Sequence, residues 1–236
     1  MPLTVKDIRK ALAPLASKQQ AQRALRFFKT GRGEYGEGDR FLGIRVPLLR
    51  RLAVRFRDAA LAEILSLLES PWHEERLLAL LMLVDRYTRG DAREHARLYA
   101  LYLRHTKYIN NWDLVDSSAS YIVGAHLMLR DKQPLYRMAR SRNLWQRRIA
   151  IMSTFYMIKN NAYDDALAIA LILKNDREDL IHKAVGWMLR EIGKRHRVTE
   201  ERFLQRHYQS MPRTMLRYAI EKFPEKKRKA YLHGLM

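Results

Sequence analysis

The sequence predicts an all-α fold, on three observations. From residue 47 onward, apolar residues recur at the spacing of a helix. No stretch alternates with the period of two that a strand requires. Trp72, Trp112, Trp145 and Trp187 recur about every 40 residues, each near the start or middle of the longer helix of a predicted pair. Helical pairs at that period stack as a HEAT- or armadillo-like solenoid, whose repeats build a concave surface. Residues 1–236 are therefore expected to form one helical-repeat domain.

Residues 3–30 read as two short helices parted near 14–17, with Phe27 and Phe28 closing the second. Segment 31–39 is loop-like and spells G-x-G-x-x-G at Gly31, Gly33 and Gly36. No strand precedes it, and Glu34, Glu37 and Asp39 would repel a pyrophosphate, so a dinucleotide site is rejected. Helices are then expected at 47–57, 59–69, 72–88, 91–104, 111–130, 134–141, 144–160, 163–174, 177–195, 199–208, 213–222 and 225–233. Proline or an N-capping residue marks most starts: Pro47, Pro71, Asp91, Asn111, Pro134, Asn143, Asp176, Thr199, Pro212 and Pro224.

The chain is 47% apolar, enough for a folded core, and its formal net charge is +20. A surface that positive calls for a polyanion, with nucleic acid the first candidate and an anionic membrane the second. The apolar runs 77–84 and 166–173 are far shorter than the roughly 20 residues a membrane span needs. The absence of cysteine excludes disulfides, iron–sulfur clusters and a thiol nucleophile. No signal-peptide pattern opens the chain, and a cytoplasmic location is expected. The eight histidines show no metal-ligand spacing, so neither a metal nor another cofactor is expected; they read as surface or satisfied core groups. Ser117 and Ser118 have no plausible histidine base, which argues against a hydrolase triad.

Two helices carry the functional candidates. In 111–130, Leu114, Ser118, Ile122, Ala125 and Leu129 form the expected buried stripe, while Trp112 and Asp116 share a face pointing away from it. An outward acid beside an outward indole is unusual in a chain this basic. Asp113, about 100° away, has a sufficient role in the first turn of the helix. In 177–195, Ile181, Val185, Met188 and Ile192 face inward, and Lys183, Trp187, Arg190 and Lys194 fall on the opposite face. A flat aromatic among cations suits a sugar–phosphate backbone. Basic residues also crowd 130–148 and the tail 213–229. Arg148 lies on a helix apolar nearly all round, so it should be partly buried and held by an anion, either Asp116 or a phosphate.

Several blocks resemble the AlkD-type DNA alkylation repair family. They are Asn-Asn-Trp112-Asp-Leu-Val-Asp116, Leu-Trp145-Gln-Arg-Arg148, Lys183-Ala-Val-Gly-Trp187-Met-Leu-Arg-Glu, Phe41-Leu-Gly-Ile-Arg-Val-Pro47 with its preceding glycine-rich stretch, and Met211-Pro-Arg-Thr-Met-Leu-Arg-Tyr218. The resemblance covers nearly the whole chain, in the family's order. It implies a HEAT-like solenoid and a monofunctional glycosylase that removes cationic N3- and N7-alkylpurines from double-stranded DNA. Asp116 then matches the catalytic aspartate and Arg148 the active-site arginine, with Trp112 and Trp187 lining the cleft. Phe27 matches more loosely, at a position the family often fills with tyrosine. Some relatives bind DNA without glycosylase activity, so a non-catalytic binder of distorted or branched DNA is the alternative; a protein–protein scaffold sits poorly with the charge. A monomer acting at the nucleoid is expected, and nothing marks a deep, enclosing base pocket.

Overall fold

The computed structural model describes residues 3–236, and among these every regular element is helical. The contacts cluster into two compact units, residues 1–122 and 123–236. The first unit holds α1 (Val5–Leu12), α2 (Lys18–Phe27), α3 (Val46–Arg55), α4 (Leu61–Leu68), α5 (His73–Arg89), α6 (Ala92–Arg104) and α7 (Trp112–Asp116). The second holds α8 (Ala125–Leu127), α9 (Gln133–Ala139), α10 (Leu144–Lys159), α11 (Asp164–Leu173), α12 (Asp179–Arg195), α13 (Arg197–His207), α14 (Arg213–Ala219) and α15 (Glu225–His233). Short 3₁₀ turns extend several of these helices. Among the described residues, no helix is long and apolar enough to cross a membrane.

Local chemistry explains most boundaries. Thr4 and Asp7 form a reciprocal capping box at α1, and Ser17 caps α2 through the Gln20 amide. Asp91 accepts from the Glu94 amide, and Asn143 from the Trp145 and Gln146 amides. Two expected caps are corrected. Asp176 does not open α12, which starts after Glu178; its carboxylate instead accepts from the Glu178 amide at 3.0 Å, ahead of the helix, and from Arg147 at 2.6 Å. His196 rather than Thr199 caps α13, accepting from the Thr199 amide.

In the first unit α3 and α4 pack on α5, whose apolar residues 77–83 are all buried. In the second unit, α12 packs against α10, α13 and α14, and Ile181, Val185, Met188 and Ile192 are buried as their spacing predicts. Glycine permits the tightest approach there: a Cβ on Gly186 would lie 2.4 Å from the Met215 carbonyl.

The expected helix 111–130 is interrupted. A turn follows α7, and residues Ser120–Gly124 form a π-helical turn. Each π-turn admits one extra residue, so the phase of the helix slips by about 100°. Leu114, Ser118 and Ile122 are buried as expected, but beyond the slip the inward positions are Val123, His126 and Leu127. Leu129 lies in the turn past the end of α8 and is 89% exposed, which corrects both its place in the core stripe and the expected helix end at 130.

Glu200 on α13 is buried, with one carboxylate oxygen unpaired and the other so close to Gly193 that a Cβ there would lie 1.7 Å away. Burial pushes its pKa up to about 8, against the pull of Arg197 and with added repulsion from Glu201. An acid raised in the folded state costs nothing below its ordinary value of 4.5 and destabilises increasingly as pH rises to about 8. Glu200→Gln should therefore melt near the wild-type temperature at pH 4.5 and above it at pH 8. An offset independent of pH would contradict this.

Candidate functional site

The first unit's site is built on the start of α5, where four consecutive charged residues, His73, Glu74, Glu75 and Arg76, are buried. Burial of such groups is tolerated only with partners, and each has them. Glu74 accepts three backbone N–H groups, from Leu42 at 2.8 Å, Gly43 at 2.7 Å and Ile44 at 3.2 Å. Gly43 has φ +77°, and a Cβ there would meet the Ser17 carbonyl at 2.2 Å, so the wall it forms requires glycine. Glu75 takes a two-pronged bond from Arg9. Arg76 pairs with Asp39 and donates to the Ser70 carbonyl at 3.0 Å.

His73 connects this cluster to α7. Its Nδ1 lies 3.1 Å from Asp39 and its Nε2 2.8 Å from Asp113. Burial disfavours the imidazolium, but the charge of Asp113 and hydrogen bonds to Asp113 and Asp39 outweigh it, raising the pKa to about 9. Asp39 is held below the usual carboxylate range: burial opposes ionisation, and His73, Arg76 and Asn111 overcome it. Asn111 donates to Asp39 at 2.9 Å and caps the Trp112 amide at 2.8 Å. The start of α7, which carries Trp112 and Asp116, is thus fixed by a buried charge network.

Asp113 is committed to that network and to the Leu114 amide at 2.9 Å. Of the two carboxylates on α7, it is the structural one. Asp116 is half-buried one turn on. The buried Tyr102 hydroxyl, bonded to Ser118 at 2.9 Å, is pushed above its usual range by burial, against the Ser118 bond and with the added charge of Asp116. Trp112 is half-buried, stacked on Phe28 at 5.4 Å and edge-on to Phe27 at 5.8 Å. Phe28 stacks on Phe41, and Phe41 on His73. Phe27, at the end of α2, is 65% exposed.

These rings border a cavity of about 570 Å³. It is a cleft open to solvent, and Phe28, Phe41 and His73, which meet in it, are far apart along the chain, so no sequence pattern brought them together. Nor did any sequence pattern single out His73 or Asp39.

In the second unit Arg148 is buried as expected, on the second turn of α10, and donates to the Leu180 carbonyl at 2.6 Å, just inside α12. Trp187 is half-buried, close to Phe155, and its indole N–H donates to Glu191 at 3.1 Å. Lys183, Arg190 and Lys194 do occur on α12 with it. Each, however, has a carboxylate beside it: Asp179 at 2.7 Å for Lys183, Glu221 for Arg190, and Glu191 at 2.5 Å for Lys194. Glu191 sits below its usual range; burial resists this, and Lys194, Arg195 and Trp187 prevail. The i,i±3 and i,i±4 spacings of Asp179 and Glu191 were signals available in the sequence. Of the three, only the Lys183–Asp179 pair is exposed at both ends; such a pair is worth about 0–1 kcal/mol, so a phosphate can replace that carboxylate.

An all-helical chain with so large an excess of cations has the character of a nucleic-acid-binding protein. A family model described as DNA alkylation repair enzyme matches residues 8–223, and the chain belongs to that family. Its fold is similar to that of a predicted DNA alkylation repair enzyme from Enterococcus faecalis (TM-score 0.69, 17% identity, covering 89% of this chain and 97% of that one). It is also similar to AlkD2 from Streptococcus mutans (TM-score 0.54, 18% identity, covering 94% of this chain and 97% of that one). Comparison with curated proteins finds no match.

A histidine raised to about 9 contributes stability that is fully present below its ordinary 6.5 and is lost as pH rises through 9. His73→Gln leaves the buried Asp39 and the half-buried Asp113 short of a cation and should cost about 3–5 kcal/mol at pH 7. Thermal melts from pH 6 to 10 should show wild type falling toward the mutant. Parallel curves would rule out the charged imidazole.

Proposed function

We propose that this protein is a monofunctional DNA glycosylase that hydrolyses the N-glycosidic bond of cationic N3- and N7-alkylated purines, such as 3-methyladenine and 7-methylguanine, in duplex DNA. The observation that carries this reading is Asp116: a carboxylate half-exposed beside Trp112, on a helix whose start is locked in place, in a chain of net charge +20. A protein that only bound phosphates would be better without it.

The chemistry follows from the lesion's charge. An alkylpurinium leaves with the glycosidic electron pair as a neutral base, so its departure needs no general acid. The positive charge passes to the sugar as an oxocarbenium-like centre, which the Asp116 carboxylate stabilises. Water, oriented by the same carboxylate, adds to C1′ and gives up a proton. Trp112 and Phe27 pack against the lesion's nucleotide, with cation–π attraction to the charged ring. From the second unit, Arg148 grips a phosphate, Trp187 packs on the backbone, and Lys183, Arg190 and Lys194 exchange their carboxylate partners for phosphates.

Asp116→Asn should slow base release by roughly two to three orders of magnitude while DNA affinity holds or rises. Wild type should release 7-methylguanine and leave uracil, a neutral base, in place. Near-normal excision by the mutant, or efficient uracil release by the wild type, would overturn the assignment. With about 5–8 phosphates contacted, log K should fall against log salt with a slope of about −4 to −7 in an anisotropy titration. A slope near zero would favour the scaffold reading.

A further inference from the structure

A second cavity of the first unit, of about 700 Å³, lies at the other end of α5 from the aromatic cleft. His73 opens α5 beside the cleft, whereas Arg86 and Arg89 lie in its last turn and line the second cavity. A helix rises 1.5 Å per residue, so about 20 Å of α5 separates the two. The walls differ as well. Eight of the nine lining residues are charged, and none is aromatic. Five are arginines: Arg57 just beyond α3, Arg86 and Arg89 on α5, and Arg93 and Arg97 on α6.

Four of these guanidinium groups are held in pairs, each pair by one shared acid. Asp85 binds Arg89 at 2.9 Å and Arg57 at 3.4 Å. Glu94 binds Arg86 and, more distantly, Arg97 at 3.7 Å. Arg89 also donates to the Arg57 carbonyl at 3.1 Å, which ties the segment after α3 to the end of α5. Arg93, exposed on α6, makes no ion pair among the described residues. A guanidinium has five N–H donors, and none of the five groups gives more than two to hydrogen bonds with the described residues. The network thus fixes the groups and leaves most of their donors to a ligand, which lowers the ordering cost of binding.

The acids decide what that ligand must be. Counting Asp58, Asp85, Asp91 and Glu94, the arginines exceed the carboxylates around them by one. A singly charged anion gains little there. Several negative charges in a small volume outcompete part-exposed carboxylates, whose pairs with arginine are weak. Guanidinium forks also match phosphate oxygens two by two. Without an aromatic ring, the walls give a base nothing to stack on. The arginines border one concavity, whereas the phosphates of a duplex are strung along a convex backbone.

We propose that this cavity binds a compact oligophosphate, either pyrophosphate or the triphosphate end of a nucleotide, through its five arginines. The site is separate from the aromatic cleft and does not depend on the glycosylase reading.

The test is calorimetric titration of the whole chain at fixed ionic strength, without divalent cations. The ligands are orthophosphate, pyrophosphate, tripolyphosphate and adenosine 5′-triphosphate. Pyrophosphate should bind at one site, about tenfold more tightly than orthophosphate, the scale of one further charge-assisted hydrogen bond. Tripolyphosphate and the nucleotide should bind alike; a large advantage for the nucleotide would mean a base subsite and overturn the compact ligand. Arg93→Gln combined with Arg97→Gln should weaken pyrophosphate binding about tenfold. Lys226→Gln combined with Lys229→Gln, which removes the same charge from α15, should leave it unchanged. Asp58→Asn should tighten binding, a gain that misfolding cannot produce. Duplex DNA affinity should fall no more in the arginine variant than in the lysine one. Equal affinity for orthophosphate and pyrophosphate, or equal losses in the two double variants, would reduce the site to general attraction by a basic surface. A loss of duplex affinity matching the loss of pyrophosphate affinity would make the cavity a DNA-backbone contact and overturn the proposal.

Discussion

The buried imidazolium of His73, held between Asp39 and Asp113, is the interaction on which the first unit's site depends. It joins three segments far apart in sequence: the end of the glycine-rich loop, the start of α5, and the start of α7. An ion pair removed from water stabilises little compared with apolar side chains of equal volume, because desolvation offsets most of the Coulomb gain. It does make alternatives costly, since any shift of α7 leaves a charge buried without a partner. Trp112 and Asp116 are therefore placed by a network that is specific more than it is strong. The apolar core of α5 supplies the stability, and the four charged residues at its start supply the position.

This division explains what was legible in the sequence. Helices depend on local spacing and caps, so the all-α class, the starts at Asn111 and Asn143, and the inward face of α12 could be read directly. Asp116, Arg148, Trp112 and Trp187 stood out because their residue types clash with their positions on a helix. The His73 network did not, because its partners lie 34 and 40 residues away and no periodicity links them. The cavity was hidden for the same reason: its rings come from α2, the loop after it, α5 and α7. The slip at Ser120–Gly124 was a different failure. A helical wheel over 111–130 assumes one unbroken helix of constant pitch, whereas a π-turn shifts the phase at Ser120–Gly124 and the helix ends at Leu127, leaving Leu129 exposed in the turn beyond it.

Net charge also proved a coarse guide to where an anion would bind. On α12 the cations that drew attention are paired with acids already, while Arg23 and Arg45, on no recognisable stripe, make no ion pair among the described residues. Paired cations still serve a polyanion, since a phosphate can take the place of a surface carboxylate with little loss. They bind by exchange and so keep the unliganded surface less repulsive to itself. Unpaired ones beside an aromatic cavity offer a stronger field to a single phosphate.

On the glycosylase reading, the remaining question is why the protein should be confined to lesions that carry their own charge. The titratable groups near the site answer it. His73 is the one group held as an acid in the right range, yet both its nitrogens face carboxylates and it is 2% exposed, so neither proton is directed toward a ligand. Tyr102 is buried and pushed to a pKa at which its proton is not available. Asp113 is tied to His73 and the Leu114 amide. Asp116 as a carboxylate can stabilise a cation but has no proton to give. Protonation of a neutral leaving base would require one of these groups to abandon the network that positions the site. Selectivity for cationic bases would then be built into the same contacts that hold α7 in place, with no separate device needed to reject the rest.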